Sequence, residues 1–197
     1  MCFFFIIRLL VKLASSQNIW LGKGKNVEVG EREKKHQKVQ SVKGQANDEN
    51  MDAESADKIL KPLENYVGVF DPSKLEKIKI VSYPSSILVL TQGHWISLFM
   101  TDNEIEIMDS MGYFGLDDFD ENIRKFLTAH ATGKRLTTTP QLQLTNSDLC
   151  AFYAICFLYY RSVGCGNLCD FCKLFHRKLS YNSALIRKMF STIRKIN

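Results

Sequence analysis

Two short segments of strict alternation, joined by a turn signal, constrain this chain more than any other feature. In His94 to Met100, His94 shares a face with Ile96, Leu98 and Met100. In Glu104 to Asp109, Ile105 and Ile107 alternate with Glu104 and Glu106, and Asp109 falls on the isoleucine side. Thr101-Asp102-Asn103 between them is hairpin-turn chemistry. An antiparallel register pairing positions 94 with 109, 96 with 107 and 98 with 105 makes His94 and Asp109 neighbours on one buried face. A carboxylate on an apolar face needs a partner, and His94 is within reach.

Around this hairpin the periodicity alternates between helix and strand. Ala53 to Tyr66 has helical spacing, with Ile59, Leu60 and Leu63 on one side, and Val67 to Pro72 reads as the loop that ends it. A short strand at Ile87 to Leu90 follows Pro84-Ser85-Ser86, and Asp117 to Ala129 is an amphipathic helix burying Phe119, Ile123, Phe126 and Leu127. Lys134 to Leu144 is extended, with Leu136, Leu142 and Leu144 alternating with polar residues. Asn146 or Ser147 then caps a helix from about Asp148 to Arg161, too apolar for a surface element. A final helix, Asn182 to Ile196, buries Leu185, Ile186, Met189, Phe190 and Ile193. The expected class is α+β, a small mixed sheet packed by helices.

The chain has 197 residues, 45% of them hydrophobic, enough for one core but not spread evenly. Gly22 to Asn50 has almost nothing to bury and reads as linker-like or disordered. A boundary near Met51 therefore separates an extension, residues 1–50, from a domain, residues 51–197. Within the extension, the apolar run Cys2 to Ile7 is short, and Arg8 and Lys12 interrupt the stretch after it. Met1 to Ser16 is thus a poor secretory signal and too charged to span a bilayer; no stable membrane insertion is expected. A surface-lying amphipathic segment is the alternative to an unstructured leader or start-site extension. Lys34-Lys35 is a short basic run of the kind found in nuclear addresses, though such runs are usually just solvated.

The net charge of +5 is unevenly distributed. Acids gather between Asp52 and Asp120. The C-terminal stretch carries Arg161, Lys173, Arg177, Lys178, Arg187, Lys188, Arg194 and Lys195, a face that suits either solvent or DNA.

Six cysteines, at 2, 150, 156, 165, 169 and 172, cluster rather than spread, which argues against a secreted disulfide framework and for the cytoplasm or nucleus. Cys150 falls in the first turn of the apolar helix, where free N–H groups and the helix dipole stabilise a thiolate. Cys156, one and a half turns on, reads as structural. A thiol nucleophile needs a base, the base needs an orienting group, and the developing oxyanion needs a donor. Of the four histidines, His94 alone lies on an apolar strand face opposite an acid; His36, His130 and His176 do not. Asp109 suits the orienting role, although Asp109-Ser110-Met111-Gly112 is also good turn chemistry. Gln143 and Gln141, sharing strand parity, are both candidates for the amide donor. Cys165, Cys169, Cys172 and His176 have spacings that would supply four zinc ligands, but they crowd one short segment, and structural thiols with no metal are the expectation.

Taken in order, these residues resemble a family. Tyr66-Val67-Gly68-Val69-Phe70, Gly93-His94-Trp95-Ile96, Ile107 to Gly112, Gln143 through Cys150, Cys156 to Arg161 and Leu179 to Arg187 are together similar to the adenain-like cysteine proteases of the Ulp clan. The similarity is greatest to the versions carried by Polinton/Maverick elements and related viruses, and it covers Met51 to Asn197. It implies a papain-related fold of the adenain/Ulp type with the nucleophile at the N-terminus of a buried helix. It further implies His94 as base, Asp109 as its partner, Gln143 rather than Gln141 as oxyanion donor, Cys150 as nucleophile, and Trp95 packed beside the site. The reaction implied is cofactor-free peptide hydrolysis through an acyl-enzyme, cutting virion or capsid precursor proteins, typically after glycine-containing motifs. The expected enzyme is a monomer acting on protein substrates, with DNA a further candidate partner, in nucleus or cytoplasm or packaged in virus-like particles. The alternatives are a SUMO- or ubiquitin-like-modifier protease of the same clan, or a decayed copy that only binds. Relatives commonly place glycine directly after the nucleophile; here the residue is Ala151.

Overall fold

The computed structural model describes residues 51–112 and 115–196; the expectations for residues 1–50 lie outside the described residues. Five strands form one mixed sheet in the order β1 (Tyr66–Phe70), β2 (Ser85–Thr91), β3 (His94–Met100), β4 (Glu104–Met108), β5 (Arg135–Thr138). The central pairs β2–β3 and β3–β4 are antiparallel, and the outer pairs β1–β2 and β4–β5 are parallel. The helices are α1 (Ala53–Leu60), α2 (Glu121–His130), α3 (Cys150–Ser162), α4 (Leu168–Cys172) and α5 (Asn182–Arg194). This is the expected α+β architecture, a mixed sheet packed by helices. Among the described residues, no helix is long and apolar enough to cross a membrane.

Both faces of the sheet are buried. On one, Ile87 and Val89 of β2, Ile96, Leu98 and Met100 of β3, and Ile105 and Ile107 of β4 pack against Phe119, Ile123, Phe126 and Leu127 of α2 and its approach. Leu75, in a 3-10 helix at Pro72–Lys77, joins the same core. The opposite face is covered by α3, in which every residue from Cys150 to Tyr160 is buried. Each large apolar side chain so buried contributes about 1.5–3 kcal/mol against exposure. Ser97, on that second face, satisfies its hydroxyl by donating to the Ala154 carbonyl at 3.1 Å.

Several expectations need correction. The first helix ends at Leu60, not Tyr66, shortly before Pro62, which has no N–H to extend the ladder. Val67 to Phe70 belongs to edge strand β1 rather than a loop. The hairpin register is shifted by two residues from the expected one: Leu98 pairs Ile107 and Met100 pairs Ile105. The turn is tighter than expected, holding only Asp102-Asn103, with Thr101 N–H donating to the Glu104 carbonyl at 2.8 Å and Thr101 Oγ1 accepting from Glu104 N–H at 3.1 Å. A two-residue shift preserves parity, so every side chain stays on its expected face. Glu106 lies on the face opposite the isoleucines as expected, yet it is buried, because α3 and its C-terminal neighbours cover that face too. Leu144 is exposed, whereas Leu142 is buried.

Candidate active site

The turn joining β2 to β3 sets the position of His94. Thr91 pairs with His94, leaving Gln92 and Gly93 as a two-residue turn with φ of 47° and 81°. Positive φ at both central positions is the type I′ signature that suits a twisted hairpin, and Gly93 takes its share without strain. His94 thus begins β3 at the sheet's rim, half-buried.

Asp109 lies just past β4. With the register shifted, it is diagonal to His94 rather than directly opposite, a separation that a histidine side chain spans. His94 Nε2 and Asp109 Oδ1 are 2.9 Å apart. Asp109 is fixed in turn: Oδ1 also accepts from Met111 N–H at 2.8 Å, and its own N–H donates to Thr139 Oγ1 at 3.0 Å. The Thr139 hydroxyl closes the exchange by donating to the Asp109 carbonyl. The turn reading of Asp109 to Gly112 and the orienting geometry therefore coexist, since Gly112 N–H returns to the Asp109 carbonyl at 3.0 Å.

Cys150 is the first residue of α3. It lines the same cleft as His94 and acts on the imidazole, and because Asp109 holds Nε2, Nδ1 is the ring nitrogen left for sulfur. Burial is the largest single influence on the imidazole and lowers its pKa. The hydrogen bond to Asp109 and its carboxylate charge, together with the influence of Cys150, outweigh burial and push it up to about 9. Expectation and structure differ on the cap: the helix begins after Leu149, with no side chain capping it, and Ser147 N–H instead turns back to the Leu144 carbonyl at 3.0 Å. The first intrahelical bond is Tyr153 N–H to the Leu149 carbonyl, so the N–H groups of the opening turn have no intrahelical partner.

A cleft of about 300 Å³ opens over this turn, lined by His94, Trp95, Met111, Gln143, Ser147, Asp148, Cys150 and Ala151 among others. Gln143 reaches it and is almost fully buried. Its Oε1 accepts from Ser110 Oγ at 2.9 Å, while Nε2 donates to the Ser147 carbonyl at 3.1 Å and faces Met111 Sδ at 3.2 Å. Gln141 is not among the cleft residues; its amide donates to the Gln143 carbonyl at 3.1 Å. Trp95 is 4% exposed and forms part of the wall. Ala151 is helical, and Gln92 alone among the described non-glycine residues has positive φ, so the position imposes no demand for glycine.

Ser110, Thr139 and Met111 were not singled out by sequence reasoning. The available signal was the contiguity of Ser110 and Met111 with Asp109; Thr139 carried none.

Two of the other cysteines are held back by burial. Burial pushes the Cys156 thiol far above its ordinary value, and pushes Cys172 up to about 12 with help from Cys169 and Glu106. No group of three or more His, Cys, Asp or Glu side chains gathers to hold a metal among the described residues, so Cys165, Cys169, Cys172 and His176 are not brought together as ligands. One cation leaves the expected basic face, Arg161, which turns inward to Glu106 at 2.5 Å, while Lys173 stays exposed and pairs with Asp170 at 2.9 Å. Arg177, Lys178, Arg187, Lys188, Arg194 and Lys195 are exposed.

An arrangement of this kind can generate a thiolate–imidazolium pair at the mouth of a cleft whose wall offers N–H donors. No protein-family model matches the chain, and no curated protein matches it in sequence. Among solved structures, the chain is similar to a de-sumoylating protease, with TM-score 0.42 and 15% identity over 72% of this chain and 74% of that one. It is also similar to the C-terminal Ulp1 protease domain in complex with Smt3, the yeast orthologue of SUMO (TM-score 0.38, 17% identity, 70% and 72% covered). A third similar structure is the SUMO protease Ulp1 with its catalytic cysteine oxidised to a sulfinic acid (TM-score 0.37, 14% identity, 70% and 74% covered).

Proposed function

We propose that the protein is a cysteine endopeptidase of the adenain/Ulp type, with Cys150 as nucleophile, His94 as general base and acid, Asp109 as orienting group and Gln143 as oxyanion donor. The observation that carries this reading is the His94–Asp109 pair at 2.9 Å sharing one cleft with Cys150, with the thiol at the uncapped start of a buried helix.

In the mechanism, the thiol proton passes to His94 Nδ1, and the raised imidazole pKa favours the resulting ion pair. The thiolate attacks the scissile carbonyl carbon, and the carbonyl π pair moves to oxygen. That oxyanion is met by the free N–H groups of the opening turn of α3 and by Gln143 Nε2. As the tetrahedral species collapses, the C–N bond breaks and His94 gives its proton to the leaving amine. Water, deprotonated by His94, then attacks the thioester carbon; the thiol leaves and reclaims its proton. Asp109 holds the imidazole ring and stabilises its charged form throughout.

The substrate class is precursor polypeptides of a virus or mobile element, as the sequence resemblance implies. The rival is a ubiquitin-like modifier joined to its target. Purified protein is to be incubated with capsid-precursor peptides bearing glycine before the scissile bond and, separately, with a modifier fused through its C-terminal tail. Preferential cleavage of the peptides supports the first substrate class, and preferential release of the modifier supports the second. No cleavage of either, with Cys150 unreactive, defeats the enzyme reading in favour of a domain that only binds. The exposed basic residues of the C-terminal segment keep DNA among the proposed partners, checked by the salt dependence of retention on DNA.

A further inference from the structure

We propose that Ser110 is a positioning residue for the oxyanion hole, holding Gln143 in a donating orientation while its neighbour Asp109 holds His94; this rests on the proteolytic reading above. A primary amide is useful to an oxyanion only with its NH2 group facing the cleft, and two contacts hold this one there. Ser110 Oγ–H donates to Gln143 Oε1 at 2.9 Å. The Ser147 carbonyl, which can only accept, takes a hydrogen from Nε2 at 3.1 Å. Rotating the amide by half a turn would set Oε1 against that carbonyl and lose the Ser147 bond, and the serine hydroxyl would have to turn from donor to acceptor to keep its own.

The serine is well built for the task. It is 1% exposed, so water does not compete for its hydroxyl. Its backbone carbonyl also accepts from Leu142 N–H at 2.8 Å and Gln143 N–H at 3.1 Å, tying down the main chain beneath the amide it orients. The second hydrogen of Nε2 faces Met111 Sδ at 3.2 Å. A thioether is a weak acceptor, so an oxyanion arriving in the cleft takes that hydrogen over with little opposition. Asp109, Ser110 and Met111 thus act as one short segment serving base and oxyanion donor together.

The experiment compares the full chain with Ser110→Ala, Ser110→Thr, Gln143→Ala and the double variant S110A/Q143A. Three readouts are used: turnover of a cleaved peptide, affinity for a peptide aldehyde, and alkylation of Cys150 by iodoacetamide. The aldehyde adds the thiol to form an oxyanion-bearing hemithioacetal; iodoacetamide alkylates sulfur by displacing iodide and forms none. Ser110→Ala is expected to lower kcat and aldehyde affinity about 10-fold, against about 100-fold for Gln143→Ala, with KM and alkylation rate unchanged. S110A/Q143A should match Gln143→Ala alone, and Ser110→Thr, which keeps the hydroxyl, should recover most of the loss. Equal losses in aldehyde affinity and alkylation would mean general loosening of the site and overturn the proposal. So would additive effects in the double variant, or unchanged aldehyde affinity in Ser110→Ala. If the unmodified protein binds no aldehyde, the proteolytic reading fails and takes this inference with it. Binding that is indifferent to Ser110 removes this inference alone.

Discussion

At the residue scale, the imidazole of His94 determines how the site responds to pH. Its pKa, raised from the ordinary 6.5 to about 9, means that it stays charged through neutrality beside Asp109 and Cys150. Loss of the imidazolium removes the acid that protonates the leaving amine, so kcat/KM is expected to fall above about pH 9, measured as the alkaline limb of a pH–rate profile. Asn at position 109 should move that limb toward lower pH, because the ring would lose its anionic partner. Stability carries the same sign: a raised folded pKa stabilises fully below about pH 6.5 and the contribution disappears as pH rises through about 9, which thermal melts across that range would show. Gly112 offers a second residue-scale test. It has φ of 76°, and a Cβ there would stand 2.3 Å from the Gln141 nitrogen, backbone that cannot swing aside. Gly112→Ala should cost about 1–3 kcal/mol in stability and displace the Gln141–Gln143 segment, lowering kcat; chemical denaturation and peptide turnover read the two effects.

At the element scale, the opposite sheet face depends on a buried ion pair. Glu106, 1% exposed, meets Arg161 of α3 at 2.5 Å and accepts from Leu168 N–H at 2.7 Å, joining β4 to α3 and α4. Arg161→Met leaves Glu106 buried without its cation and should cost about 3–5 kcal/mol, while E106L/R161M should recover most of that loss, read as denaturation midpoints. This pair also shows where sequence reasoning stopped. Alternation told which side of β4 Glu106 occupies, but not that a second helical layer would close over that side; burial by another layer leaves no mark on a strand's own period. Parity was robust for the same local reason. His94 and Asp109 were legible as facing partners even though the turn is shorter and the register shifted by two, because faces depend on odd and even, not on register. The helical cap was misplaced because Asn146 and Ser147 have capping chemistry, yet Ser147 is used in a turn one step earlier.

At the scale of the whole molecule, the sheet divides its two faces between two tasks. One is a closed apolar core under α2; the other seats α3, so that its first residue arrives at the rim where β3 begins. The contacts that complete the site bridge long stretches of sequence: Ser110 with Gln143, Thr139 with Asp109. Such pairs were illegible beforehand, since nothing local to either residue names its partner. Cys150, His94 and Asp109 were legible as candidates because each sits where its element begins or ends, and Gln143 was preferred to Gln141 only through the family resemblance. Everything proposed for the site depends on Cys150 being a thiolate activated by His94 within a peptide-binding cleft. The decisive experiment treats the folded protein at neutral pH with a peptidyl electrophile ending in glycine and maps the adduct by mass spectrometry. One adduct is expected, on Cys150, slowed at least about 100-fold in His94→Ala and undisturbed in Cys156→Ala. An unmodified Cys150, or labelling that is indifferent to His94, would refute the proposed chemistry.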